Sequence, residues 1–135
     1  IISAEVVRRE PLNVEIFNKK FKIIKVSLND YLDEINANKT VIWGAGHQAL
    51  TVISLSNIKK KISYIVDSAT FKQNKYTPES HLLINKPDFM LKDKPESIIV
   101  MAAGFSDEIV KIINTKYPFI QNIAVLREDN LEIIK

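Results

Sequence analysis

The sequence contains no cysteine. Disulfides, zinc–thiolate sites and thiol nucleophiles are therefore excluded from it, and a reducing cytoplasm is the expected compartment. Glycine is scarce at three residues, so a glycine standing between two regular elements is informative. No apolar run approaches the ~18 residues of a membrane span, and no signal-peptide pattern is present. Charge of one sign is also lacking, since 19 basic and 16 acidic residues leave a net charge of +3. Only three of the basic residues are arginines, and no stripe collects them, so the electrostatic footprint of a nucleic-acid binder is missing. The chain opens on Ile1 rather than Met, and it is expected to be a piece of something longer.

What is present suits one globular domain. The 135 residues are 46% hydrophobic and 26% charged, enough to build one core without staples. Residues 1–38 are expected to form a linker or docking segment followed by a helix. Pro11 and Asn13 interrupt the start, and Val14, Ile16 and Phe21 to Ile24 read as short strands. Ser27 reads as an N-cap with Asp30 three residues later. Leu28, Tyr31, Leu32 and Ile35 then recur at helical spacing, and Asn36 and Asn38 end the helix.

Residues 39–135 alternate between strands and helices. Thr40-Val41-Ile42-Trp43 is a β-branched and aromatic run typical of a buried strand. Gly44-Ala45-Gly46 turns the chain into a helix from His47 to Asn57, and Lys59-Lys60-Lys61 connects it to a strand over Ile62 to Val66. Ser68 to Ser80 is polar, and His81 to Ile84 is expected to be a short edge strand. Pro87 suits the first turn of a helix through Leu91. Ser97 to Met101 is a third core strand. Ser106 is placed to cap a helix running to Lys116, with Asp107 and Glu108 in its first turn, where the helix dipole favours acids. Asn122 to Leu126 and Leu131 to Ile134 complete the strands. The alternation predicts an α/β fold: a single Rossmann-like domain with a mostly parallel sheet, helices on both faces and the first long strand central.

The sharpest local feature is Gly44-Ala45-Gly46-His47-Gln48-Ala49. It fits the G-x-G-x-x-A form of the dinucleotide fingerprint and stands between a strand and a helix, as that motif requires. Gly44 permits the tight turn, Gly46 lets the backbone approach a phosphate, and the helix start offers free N–H groups to an anion. Asp67 closes the second strand, where an acid would take the hydroxyls of a ribose. The same pattern also serves as a plain strand-to-helix turn, so both readings stand. NAD is less favoured, because its usual site needs two mononucleotide-binding halves. His47 is a candidate general base or a simple hydrogen-bonding group. Gly104-Phe105-Ser106-Asp107-Glu108, at the carboxyl end of the third core strand, should face the same crevice. A P-loop lysine is missing after the glycines, which argues against NTP hydrolysis.

Together these motifs resemble the C-terminal domain of bacterial SAM-dependent C-methyltransferases. The resemblance rests on Val41 to Gly46, on Tyr64-Ile65-Val66-Asp67, and on Phe71-Lys72-Gln73-Asn74-Lys75-Tyr76-Thr77-Pro78. Ser97 to Met101 and Gly104 to Ile109 follow in the same order and spacing, so that residues 40 to 126 are covered. This family resemblance implies a zinc-binding domain and a SAM-binding domain upstream, with no cofactor in the present chain. It further implies a nucleotide-linked keto-deoxysugar as substrate, with Gly44, Ala45, Gly46, His47, Gln48, Asp67, Lys72, Gly104, Phe105 and Glu108 as the candidate binding residues and no catalytic or metal-ligating residue. The expected partners are the upstream SAM domain and a small anionic ligand, with neither nucleic acid nor membrane. Members of the family often have Lys-Gly where this chain has Gln48-Ala49, and Pro-Gly where it has Pro78-Glu79. Two alternatives remain: a nucleotide-sugar-binding module of a sugar acyltransferase, whose Gly-x-Gly-His turn is similar, and a small NAD-binding domain.

Overall fold

A computed structural model describes the backbone of residues 2–135 and the side chains from residue 18 onward. Its first element is one long helix, α1 (Ile2–Ile35). The strands expected at Val14, Ile16 and Phe21 to Ile24 are not formed, and Ser27 lies inside the helix rather than at its cap. The side chains of Val14 and Ile16 lie outside the described residues. The reason for the helix is visible in its buried face. Ile24, Leu28, Tyr31 and Leu32 are all buried, and their spacing continues one helical stripe back past Ser27. Asn36 then takes the left-handed conformation, at φ 43°, and ends the helix as asparagine commonly does.

Seven strands follow: β1 (Thr40–Trp43), β2 (Tyr64–Val66), β3 (Lys75–Tyr76), β4 (Leu83–Asn85), β5 (Ser97–Val100), β6 (Asn122–Leu126) and β7 (Leu131–Ile133). The helices between them are α2 (His47–Ser56), α3 (Phe89–Asp93) and α4 (Ser106–Lys116). One sheet holds all the strands in the order β3-β4-β2-β1-β5-β6-β7. β1 is central as expected, and it pairs in parallel with both β2 and β5. Only β3 and β7 run antiparallel to their neighbours.

Two expectations need correction here. β4 is not an edge strand, because it pairs in parallel with β2 and antiparallel with β3. The edge belongs to β3, a two-residue strand too short to show any periodicity and exposed on both residues. α3 also begins later than Pro87, and Asp88 occupies its N-cap position.

Both faces of the sheet are covered, which is why the central strands read as unbroken apolar runs. Ile42, Ile65, Ile99 and Ala124 face α1 and α2, where Leu28, Val52 and Ile53 meet them. Val41, Val66, Ile98, Val100 and Ile123 face α3 and α4, against Met90, Ile113 and Tyr117. Each fully buried aliphatic side chain stabilises the fold by roughly 1.5–3 kcal/mol. The short α3 is tied down at both ends by tyrosines. Tyr117 donates its hydroxyl to Asp88 at 2.8 Å, and Tyr64 donates to Asp93 at 2.9 Å.

Candidate functional site

Parallel pairing brings the carboxyl ends of β4, β2, β1, β5 and β6 to one edge. The chain leaves β1 toward β2 on one side, and β5 lies on the other. A crevice opens at such a switch point, and the turns after β1, β2 and β5 meet around it.

Gly44 lies at the bottom of this edge. Its φ is +128°, and a Cβ there would collide with the backbone carbonyl of Met101, whose carbon would be 2.9 Å away. The glycine is therefore required by the close approach of the β1 turn to the end of β5, in addition to the turn itself. Gly44 N–H donates to Val66 O at 2.9 Å. Gly46 differs in every respect. It is exposed, it takes the N-cap position of α2 with an ordinary extended backbone, and a Cβ would meet nothing within 4 Å. Among the described residues, no contact demands a glycine there.

Asp67 organises the edge. One carboxylate oxygen accepts the N–H of Ala45 at 2.8 Å, and the other accepts the N–H of Ala69 at 2.8 Å. Lys72 Nζ stands 3.9 Å from the same carboxylate, and the Gln73 side chain donates to Asp67 O at 2.8 Å. The side chain expected to take ribose hydroxyls thus joins the β1 and β2 turns. Ala45 is buried, while His47 and Gln48 project from the first turn of α2. His47 lines a separate hollow with Pro78 and Glu79.

After β5 the chain makes a short 3-10 turn over Ala103–Phe105. Ala103 is held at φ 49°, a left-handed conformation that costs a non-glycine residue roughly 1–2 kcal/mol. Gly104, Phe105 and Glu108 are exposed. Ser106 does not cap α4, whose N-cap position is Phe105. Because the 3-10 turn runs straight into the helix, the Ser106 hydroxyl folds back and accepts the N–H of Ala102 at 3.2 Å.

The crevice beside this turn has a volume of about 290 Å³ and is lined by Gln48, Ala49, Met101, Ala103, Leu126, Arg127 and Glu128. Of these, sequence reasoning singled out only Gln48. Arg127 was legible in principle, as the residue that leaves the carboxyl end of a parallel strand. Its guanidinium donates to Asp107 Oδ1 at 2.7 Å and to Glu132 Oε1 at 2.8 Å. Hydrogen bonds to Glu132 and Asp107 push its pKa further up. Among the described residues, no group of three or more His, Asp or Glu side chains is placed to hold a metal ion, and no helix is long and apolar enough to cross a membrane.

The family model for the C-methyltransferase C-terminal domain matches residues 6–121 of the chain. The chain belongs to this family. The matched residues of this C-methyltransferase C-terminal domain take in most of α1 and stop short of β6, so Arg127 and Glu128 lie beyond them. Among solved structures, the chain is similar to UDP-D-quinovosamine 4-dehydrogenase from Vibrio fischeri. The identity is 15% and the TM-score 0.53, with 72% of this chain and 93% of that one covered, which shows a shared α/β fold. A comparison with curated proteins finds no match. The family resemblance predicts Pro-Gly where this chain has Pro78-Glu79, and Glu79 stands in the place of that glycine. Glu79 adopts φ 59°, the left-handed conformation that a glycine takes without strain. Beneath it, Thr77 Oγ1 accepts the N–H of Leu82 at 2.9 Å and holds the loop.

Proposed function

We propose that this chain is the substrate-side domain of a SAM-dependent C-methyltransferase, and that it binds a nucleotide-linked sugar at the carboxyl edge of its sheet. The observation that carries this reading is Gly46. It is exposed, with open space where a side chain would stand, directly over the free N–H groups that begin α2. Glycine is also a favoured N-cap residue, and the open space above it suits the close approach of a phosphate.

SAM is assigned to a domain upstream of this chain. The family match supports that assignment, because it is to the C-terminal domain of a C-methyltransferase. In this reading the chain binds and orients the sugar nucleotide, and the methyl transfer takes place against the upstream domain. A setting in bacterial, cytoplasmic deoxysugar biosynthesis belongs to the same proposal.

Calorimetry tests it. A nucleoside-diphosphate sugar titrated into the chain should bind, and SAM should not. Tight SAM binding to this chain would reverse the division of labour. Failure of every nucleoside-diphosphate sugar to bind would leave a docking domain in place of a substrate domain.

A further inference from the structure

The crevice at the β5 and β6 ends has a charge pattern that its volume does not reveal. Arg127 is the one cation among its lining residues, and Glu128 lines it as well. The guanidinium is already engaged by Asp107 and Glu132, so one positive charge faces three carboxylates. Such a rim repels a diphosphate. The remaining wall is mostly apolar, from Ala49, Met101, Ala103 and Leu126. At about 290 Å³ the space lies just below the range for ligand pockets, roughly 300–1,000 Å³. It holds one ring system rather than a whole sugar nucleotide. An exposed aromatic face, Phe105 at 70% exposure, stands on the same turn as Ala103.

We infer that this crevice is the nucleoside pocket of the proposed site, and that it fixes the direction in which the sugar nucleotide lies. A nucleobase has an apolar face for Met101 and Leu126 and a polar edge for the Gln48 amide and Glu128 carboxylate. A sugar ring would leave its hydroxyl and carbonyl groups short of partners against this wall. The diphosphate then crosses the start of α2 at Gly46, away from the acidic rim, and the sugar points outward from the sheet edge. Leu126, Arg127 and Glu128 lie beyond the family-matched residues. The inference rests on the proposed function and adds an orientation to it.

The test uses the 135-residue chain labelled with 15N. Uridine, thymidine, adenosine and guanosine, inorganic pyrophosphate, methyl glucoside and the nucleoside-diphosphate sugar bound in calorimetry are titrated separately. At least one nucleoside at millimolar concentration should shift the amides of Ala103 and Glu128, and pyrophosphate should shift those of Gly46 and His47 only. Ala103→Asn keeps a residue that tolerates the left-handed conformation but fills the crevice. It should weaken the nucleoside about tenfold, equivalent to 1.4 kcal/mol. If the sugar nucleotide binds but Ala103 and Glu128 do not shift, the orientation is wrong and the proposed function survives. Shifts there with methyl glucoside or pyrophosphate, rather than with a nucleoside, overturn the orientation in the same way. If no nucleotide sugar binds at all, both readings fall.

Discussion

The carboxylate of Asp67 accepts the backbone N–H of Ala45 at 2.8 Å, so the end of β2 holds the turn that follows β1. The second oxygen of the same carboxylate holds Ala69. A charged acceptor that satisfies two part-buried amides is costly to remove, because both donors are left without a partner. Asp67→Ala should lower the unfolding free energy by about 1–3 kcal/mol. It should also speed hydrogen exchange at Ala45 and Ala69 more than at Ile42. Unchanged protection at those two amides would show that the contact does not order the turn.

The two glycines of the turn should respond in opposite ways. Gly44→Ala forces a Cβ into the Met101 carbonyl at a φ that side chains rarely adopt, and it should cost about 3 kcal/mol or more in denaturant unfolding. Gly46→Ser places a good N-cap residue in open space, so stability should stay within about 0.5 kcal/mol of the parent. The same substitution covers the free amides of α2 and should weaken nucleotide-sugar binding. Binding equal to the parent would remove Gly46 from the site.

Asp93 gives a pH signature at the opposite edge of the sheet. Burial opposes its ionisation, but hydrogen bonds from Lys39 and Tyr64 together outweigh that, and its carboxyl is held below the usual range. A carboxyl depressed in the folded state adds stability above its unfolded pKa of about 3.9, and that stability is lost as pH falls through the lower folded value. Asp93→Asn should therefore be less stable than the parent at pH near 7, and the gap should close on acidification. A gap that persists at strongly acid pH would mean that packing, rather than charge, is what the substitution removes.

Glu79 tests the loop that carries the departure from Pro-Gly. Its φ of 59° suits glycine, so Glu79→Gly should leave stability unchanged or raise it by up to about 1 kcal/mol, with relief of strain opposed by unfolded-chain entropy. Glu79→Val should destabilise, since a β-branched side chain resists this conformation. Thermal melts of both variants decide the matter, and equal melting temperatures would argue against strain at this position.

β1, β5 and β6 were legible because burial on both faces leaves an apolar run in the sequence itself. α1 was misread because Pro11 and Asn13 look like breakers, whereas the stripe through Ile24, Leu28, Tyr31 and Leu32 is a property of the packed face. β3 was invisible, since Lys75 and Tyr76 form a strand only because β4 lies beside them.

The sequence by itself determined the strand–helix alternation, the α/β class and the glycine turn, because each depends on residues close in the chain. Tertiary structure decided the rest. It placed Met101 where Gly44 cannot be anything larger, turned Asp67 onto the neighbouring turn, and brought Arg127 from a distant strand to the crevice. These relations join residues on different strands, and only the pairing of the sheet sets the distance between them.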